Sequence, residues 1–283
     1  MFIVLAWLFI PLPVLGGQQL VALRTDSPPV IDGMGNDAAW QSAVRVTTTD
    51  PIADIPIELQ AVYTDVNVYV KARFPDATEN REHKTLVWNS DLELYRTGTK
   101  REDSFILKWS MEPVPVDMSL QSHKPYRADI WYWKAMRTDA MGYADDKLHI
   151  YSIHEIEHAQ QITLPSGKRM FLSRPSDSGT STYKSIAYEK FVGDTMVRYT
   201  YQQPTGSRAD IRAKGHWSDG YWTIEFQRKM ITGNVDDIQF DPALTYDFGV
   251  SRYEISGTAP NFRLEQPYYE SGDVGEILTM TFR

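Results

Sequence analysis

Apolar and polar side chains alternate with a period of two over several stretches of this chain. Ile57, Leu59, Ala61 and Tyr63 alternate with Glu58, Gln60 and Val62. After Asp65 and Asn67, the residues Val68, Val70, Ala72 and Phe74 alternate again. This pattern predicts an antiparallel hairpin with one face toward a core and one toward water. Phe105, Leu107 and Trp109 predict another strand. Ile211, Ala213, Gly215 and Trp217 lead into Asp219-Gly220, and Trp222, Ile224 and Phe226 lead out. Asp-Gly between two alternating runs is a strong hairpin signal, because both central residues take positive φ. Tyr246, Phe248 and Val250, then Leu278, Met280 and Phe282, predict two further strands. Helical periodicity is scarce, and residues 150–161 are the best short candidate. Residues 163–195 are polar and irregular, which predicts an insertion or long loop. Many strands, few helices and no repeat predict an all-β chain, an antiparallel β-sandwich of immunoglobulin-like type formed as one domain over residues 25–283.

The first 15 residues are apolar and uncharged, interrupted by Pro11 and Pro13, and the first basic side chain is Arg24. The run is shorter than the roughly 18–20 residues needed to span a bilayer. It fits the apolar region of a signal peptide, and Val14-Leu15-Gly16 resembles a small-residue cleavage site. The expectation is a signal peptide over residues 1–17, export to the periplasm or beyond, and no transmembrane span once it is removed. A buried N-terminal strand is the competing reading.

Composition narrows the chemistry. The 283 residues include no cysteine, so disulfides, Cys-ligated zinc, ordinary iron–sulfur clusters and thiol nucleophiles are excluded. The net charge of −8 argues against a nucleic-acid partner, which would need a basic footprint. Aromatic residues make up 12% of the chain, which suits a β-rich core, and flat ligands are the sharper alternative.

His154-Glu155-Ile156-Glu157-His158 matches H-E-x-x-H, which on a helix would put two imidazoles on one face to share a zinc. Against a protease stand the charge of Glu157, the lack of a nearby downstream His and the sandwich pattern around the segment. An exposed polar segment, or adventitious metal binding by His149, His154 and His158, competes with it. Asp145-Asp146 and Asp236-Asp237 are acidic pairs that could bind Ca²⁺ through oxygen or simply cap loops. No nucleophile elbow, P-loop or dinucleotide fingerprint is present, so the chain reads as a carrier or binding protein more than an enzyme.

Three stretches carry a resemblance. Pro29-Val30-Ile31-Asp32-Gly33 with Asp37-Ala38-Ala39-Trp40 resembles the opening of the ethylbenzene-dehydrogenase-related haem-binding domains and of family-nine carbohydrate-binding modules, both β-sandwiches. Ala128-Asp129-Ile130-Trp131-Tyr132-Trp133-Lys134-Ala135, with Arg137 and Gly142-Tyr143-Ala144-Asp145-Asp146, resembles the haem-binding group more specifically. So do residues 206–215, Trp217-Ser218-Asp219-Gly220-Tyr221-Trp222-Thr223-Ile224-Glu225, Arg228, Thr232-Gly233 and Asp236-Asp237-Ile238-Gln239-Phe240. The family is similar to the haem b subunit of dimethyl-sulfoxide-reductase-type molybdoenzymes. Membership implies an exported electron-transfer sandwich holding one haem, with a redox protein or molybdoenzyme subunits as partners.

A b-type haem is held by axial ligands and an apolar pocket. The resemblance places the first ligand region at residues 110–127, where Ser122-His123 stands in for the Cys-His pair of some relatives. His123 is the first candidate, then Met118, then Met111, with core filling as the alternative for each Met. Trp131, Trp133, Tyr132 and Tyr143 are candidates to line the porphyrin or, equally, to pack the strands. The family's C-terminal ligand position falls at Phe262–Glu265, which has neither His nor Lys, and an earlier His position is Tyr253. A haem-free module for carbohydrate or protein, using Trp40, Trp131 or Trp133, is the alternative function.

Overall fold

The computed structural model describes residues 18–50, 55–253 and 274–283. The proposed leader and residues 262–265 lie outside the described residues. The first half of the chain forms β1 (Gln19–Arg24), β2 (Val46–Asp50), β3 (Ile55–Tyr63), β4 (Asn67–Pro75), β5 (Leu86–Asn89), β6 (Leu94–Thr97), β7 (Ser104–Ser110) and β8 (Tyr126–Lys134). The second half forms β9 (Asp145–Ser152), β10 (Gln160–Thr163), β11 (Arg169–Ser173), β12 (Tyr183–Ser185), β13 (Thr195–Met196) and β14 (Tyr199–Tyr201). It ends with β15 (Arg212–Ser218), β16 (Tyr221–Lys229), β17 (Tyr246–Tyr253) and β18 (Leu278–Phe282). One short α-helix, α1 (Ala38–Ser42), precedes β2.

A single hydrogen-bonded sheet runs in the order β10-β11-β9-β8-β7-β17-β18-β1-β3-β4-β16-β15, with β2 beside β3. The neighbours pair antiparallel, apart from β1, which runs parallel to both β18 and β3. The sequence expectation of an antiparallel sheet therefore fails at one strand. The first strand sits between the two halves, and its parallel pairing with β3 is reached by the crossover through α1 and β2. The halves face each other. Phe105, Leu107, Trp109, Trp131 and Trp133 from one half share a core with Val70, Ala72, Phe74, Trp222, Ile224 and Phe226 from the other.

The predicted hairpins form as β3–β4 and β15–β16. Asp219 and Gly220 take φ of 52° and 78°, as the tight turn requires. The supposedly wet face of β3–β4 is partly covered, because α1 lays Trp40 and Ala39 against Val62 and Tyr69. Gln60 is buried there and donates to the carbonyls of Trp40 and Ala43, at 2.7 and 2.9 Å. A polar residue at that position reads as solvent-facing in sequence, but here it fastens the helix.

The helix expected over residues 150–161 does not form. The chain leaves β9 at Ser152, loops through residues 153–159 and re-enters the sheet as β10 on the far side of β11. His158 takes a φ of 57°, and His154, Glu155, Glu157 and His158 are exposed. Two strand ends joined by an exposed loop satisfy the same short apolar spacing as a helix. The geometry that H-E-x-x-H needs for zinc is therefore absent, while His149 is buried on β9. Residues 163–195 begin as strand, since β10 and β11 extend the main sheet. The remainder lies over its outer side, where Thr182 Oγ1 donates to the Arg137 carbonyl at 2.8 Å.

The motif stretches fasten the two halves together. Glu225 on β16 accepts the backbone amide of Gly33 at 2.6 Å and the indole Nε1–H of Trp40 at 2.6 Å. Gly33 has a φ of 82°, and a Cβ there would lie 2.8 Å from the backbone of Gly215 and His216. Only glycine permits that approach. Arg228 on β16 bonds Asp129 on β8 and the carbonyl of Ile238, with all three groups buried.

Candidate functional site

The segment of residues 111–125 links β7 to β8 and folds back over their outer face. Its backbone carbonyls are captured by buried side chains. Tyr126 donates its hydroxyl to the Met118 carbonyl at 2.8 Å, and Lys108 Nζ donates to the same carbonyl at 2.9 Å. Tyr151 on β9 donates to the Leu120 carbonyl at 2.7 Å and stacks on Tyr126 with ring centroids 4.9 Å apart. The segment is thus pinned at two consecutive even positions, and Met118 and Leu120 are driven inward.

Met118 is fully buried in a second apolar cluster with Val116, Leu120, Ile130, Met170 and Leu172. Five residues on, His123 is exposed, and its carbonyl accepts Lys168 Nζ at 2.7 Å. Met111 is half-buried at the start of the segment, with its amide bonded to the Arg127 carbonyl at 3.1 Å. One segment thus carries the three proposed donors in three environments, and Met118 is the one held in apolar surroundings.

The aromatic candidates are elsewhere. Trp131 and Trp133 point into the sandwich interior, on the opposite face of β8 from Ile130 and Met118. Trp131 meets Trp109 and Phe240, and Trp133 packs edge-on against Trp222 at 4.9 Å. Tyr143 is half-buried beyond the strand, with the Arg212 guanidinium 4.0 Å from its ring centroid. Tyr132 lies on the outer face, in the second cluster. The structure therefore brings Met118 and Tyr132 to one face and places Trp131 and Trp133 behind them. The backbone of Tyr253 pairs with Ser104 at the end of β17.

Two nitrogen donors lie on the outer face, Lys108, which the sequence reading missed, and His149, which it grouped with His154 and His158. Lys108 is buried on β7 beside Tyr126 and the Met118 backbone. His149 is buried on β9, and its ring Nδ1 has no hydrogen-bond partner. Pairing of Lys108 with Ile130 and of Ala128 with His149 puts both on the cluster's face. Burial, with the nearby charges of Lys108, Arg174 and Lys147, holds the His149 imidazole well below its usual range, so it is neutral. Lys108 could have been found from its place between Ile106 and the motif strand, but alternation with Leu107 and Trp109 marks it as solvent-facing.

Farther along the same face lies a buried polar network. Lys134 pairs with Asp145, and Arg137 pairs with Glu102. Tyr183 from the covering segment donates to Asp145 at 3.2 Å, and Arg208 approaches its other oxygen at 3.3 Å. Burial pushes the Asp145 carboxyl up, but Lys134, Lys147 and Arg208 outweigh it and hold the group below the usual carboxylate range. Such a network fixes geometry where the covering segment docks.

An iron porphyrin asks for a soft or nitrogenous axial donor and apolar walls. The outer face of β7–β9 fits the donor chemistry through the buried Met118 thioether, with Lys108 and His149 on the same face. The interior tryptophans do not fit as walls to that donor, because the sheet separates them from it.

Residues 37–259 match the family model described as ethylbenzene dehydrogenase. Among solved structures, the chain is similar to a family-nine carbohydrate-binding module from Caldicellulosiruptor kristjanssonii in complex with glucose. The two share 10% identity and a TM-score of 0.40 over 94% of this chain and 96% of that one. A putative carbohydrate-binding protein from Bacteroides uniformis is similar at 8% identity and a TM-score of 0.41, over 95% of this chain and 100% of that one. No curated protein matches the chain.

Proposed function

Because this chain belongs to the ethylbenzene dehydrogenase family, we propose that it is an exported haem b-binding protein that carries electrons as an accessory redox subunit. The observation that carries the reading is Met118. It is a thioether buried in an apolar cluster, on a segment locked by Lys108, Tyr126 and Tyr151. When bound, haem would supply one-electron chemistry. The chain's own share is to hold the iron from Met118, to shield it with Leu120, Ile130, Met170 and Leu172, and to exclude water. Without cysteine, the attachment is non-covalent.

His123 serves as an axial donor only toward a group seated on the surface, since the side chain is exposed and Met118 points inward. Met111 stands between the two cases. The partner is a redox protein or the subunits of a molybdoenzyme, with no nucleic acid involved, and the compartment is periplasmic or otherwise extracytoplasmic. Among the described residues, no helix is long and apolar enough to cross a membrane.

The test is an absorption spectrum of the protein produced with haem supplied, compared with Met118→Leu and His123→Ala. The reading expects a Soret band in the parent protein, a shifted or weakened band in Met118→Leu, and little change in His123→Ala. Folded protein that takes up no haem would overturn the function and leave the haem-free binding module. Identical bands in the parent and Met118→Leu would overturn the ligand assignment.

A further inference from the structure

At one end of the sandwich interior, Asp129 of β8, Asp146 of β9 and Asp237 beyond β16 each offer a carboxylate oxygen within 4.8 Å of the others, and all three residues are buried. Asp129 is partly engaged, because its Oδ2 takes the Arg228 guanidinium and the Ile238 amide, the latter at 2.9 Å. Its Oδ1 has no hydrogen-bond partner, and neither oxygen of Asp146 or Asp237 has one. Asp146 is 0% exposed. A fourth carboxylate, Asp177 of the covering segment, is 6% exposed and also has no hydrogen-bond partner on either oxygen. It follows Ser176, whose backbone bridges to Lys147 next to Asp146. Arg228 is the cation bonded to this group.

Such an arrangement is costly without a further positive charge. A buried carboxylate oxygen with no partner forfeits hydration and gains nothing in return. Seven such oxygens stand on four chain segments, and one from each of Asp129, Asp146 and Asp237 lies within 4.8 Å of the others. One guanidinium neutralises one of the four carboxylates. The donor set is oxygen alone, which selects a hard cation over zinc or copper. A span of up to 4.8 Å suits two oxygens on opposite sides of Ca²⁺, whose bonds are about 2.4 Å.

We propose that Asp129, Asp146, Asp177 and Asp237 form a structural Ca²⁺ site that ties the covering segment and the loop following β16 to the sheet. Asp146 and Asp237 are its main ligands, Asp129 contributes Oδ1, and Asp177 closes it from the covering segment. Only the second residue of each acidic pair takes part, because Asp145 points to the other face and is paired with Lys134. The site is independent of the haem reading, and its test needs no haem.

The protein is unfolded and refolded in EGTA or in Ca²⁺, because a buried site exchanges slowly, and melting temperature and metal content are then measured. The proposal expects about one bound Ca²⁺ per chain and a rise of about 5–10 °C with Ca²⁺ in roughly hundredfold excess over Kd, with a smaller rise in Mg²⁺. Asp146→Asn should abolish the rise and melt at or above the parent in EGTA, because it removes a repelling charge. Should Asp146→Asn fail to fold, Asp237→Asn carries the same expectation. Equal melting temperatures in Ca²⁺ and EGTA, with no bound metal, would overturn the proposal and leave shared protons as what holds the carboxylates together. A Ca²⁺ response undiminished in both variants would overturn it as well.

Discussion

Trp133 donates its indole Nε1–H to Asp139 Oδ1 at 2.9 Å, so a strand of one motif is bonded to the turn that follows it. The same oxygen accepts the Gly215 amide of β15 at 2.6 Å, and Oδ2 accepts Arg81 at 2.8 Å and Lys214 at 3.1 Å. Asp139 is 1% exposed. One carboxylate thus holds the second motif against the third, across the sandwich.

Asp139→Ala leaves two cations, an indole and a backbone amide without that acceptor. Both cations are about a third exposed and can turn to water, so the cost is that of the stranded buried indole and amide, about 2–4 kcal/mol. Urea denaturation should show the midpoint fall accordingly, with the slope retained. A loss below about 1 kcal/mol would mean that water replaces the carboxylate and that the bonds add little.

Gly215 faces the Trp133 ring so closely that an added Cβ would collide with it. Gly215→Ala should therefore destabilise the protein by about 1–3 kcal/mol through overpacking, although alanine suits a strand better than glycine. Thermal melting distinguishes the two effects by sign. A variant more stable than the parent would show that the β15–β8 contact yields without strain.

These contacts show how far the sequence could be read. Asp219-Gly220 announces its hairpin because the requirement for positive φ is local, and the alternating runs of β3, β4, β15 and β16 follow from it. The motif residues Gly33, Trp40, Asp129 and Glu225 were legible as a family resemblance, and their bonds explain why such residues stand there. Burial of a strand's second face was not legible. Lys108, Gln60 and His149 occupy positions that alternation marks as wet, and what covers them comes from distant segments. The acidic residues show the same limit, since Asp146 and Asp237 stand out in sequence but Asp129 and Asp177 join them only through the fold. The polar loop at residues 153–159 passed for a helix because short spacings fit both.

Stability should fall as the pH rises from 6.5 to 8. Burial pushes the carboxyl of Asp177 up to about 8, with Asp236 adding to it. Burial also lifts Asp103 to about 7, against the opposing hydrogen bonds from Asn80 and Trp222. These groups are protonated in the folded chain and ionised in the unfolded chain at pH 6, so the folded state binds more protons. Their contribution is intact below the unfolded value of about 4 and is lost as the pH rises through 7 and 8. His83 and His149 act oppositely. Burial holds both neutral, so their contribution is lost as the pH falls below about 6.5. In EGTA the melting temperature should therefore decline from pH 6.5 to pH 8, and more shallowly in Asp177→Asn. A flat or rising profile over that interval would contradict these burial effects.

The most direct test of the account is the haem content of the protein. The protein is purified after production with haem supplied, extracted with acidified acetone and assayed by its pyridine haemochrome spectrum. The account predicts about one haem per chain, recovered entirely in the acetone phase as unmodified haem b, because no cysteine is present to form a thioether. Folded protein with no Soret band and no extractable haem would contradict it.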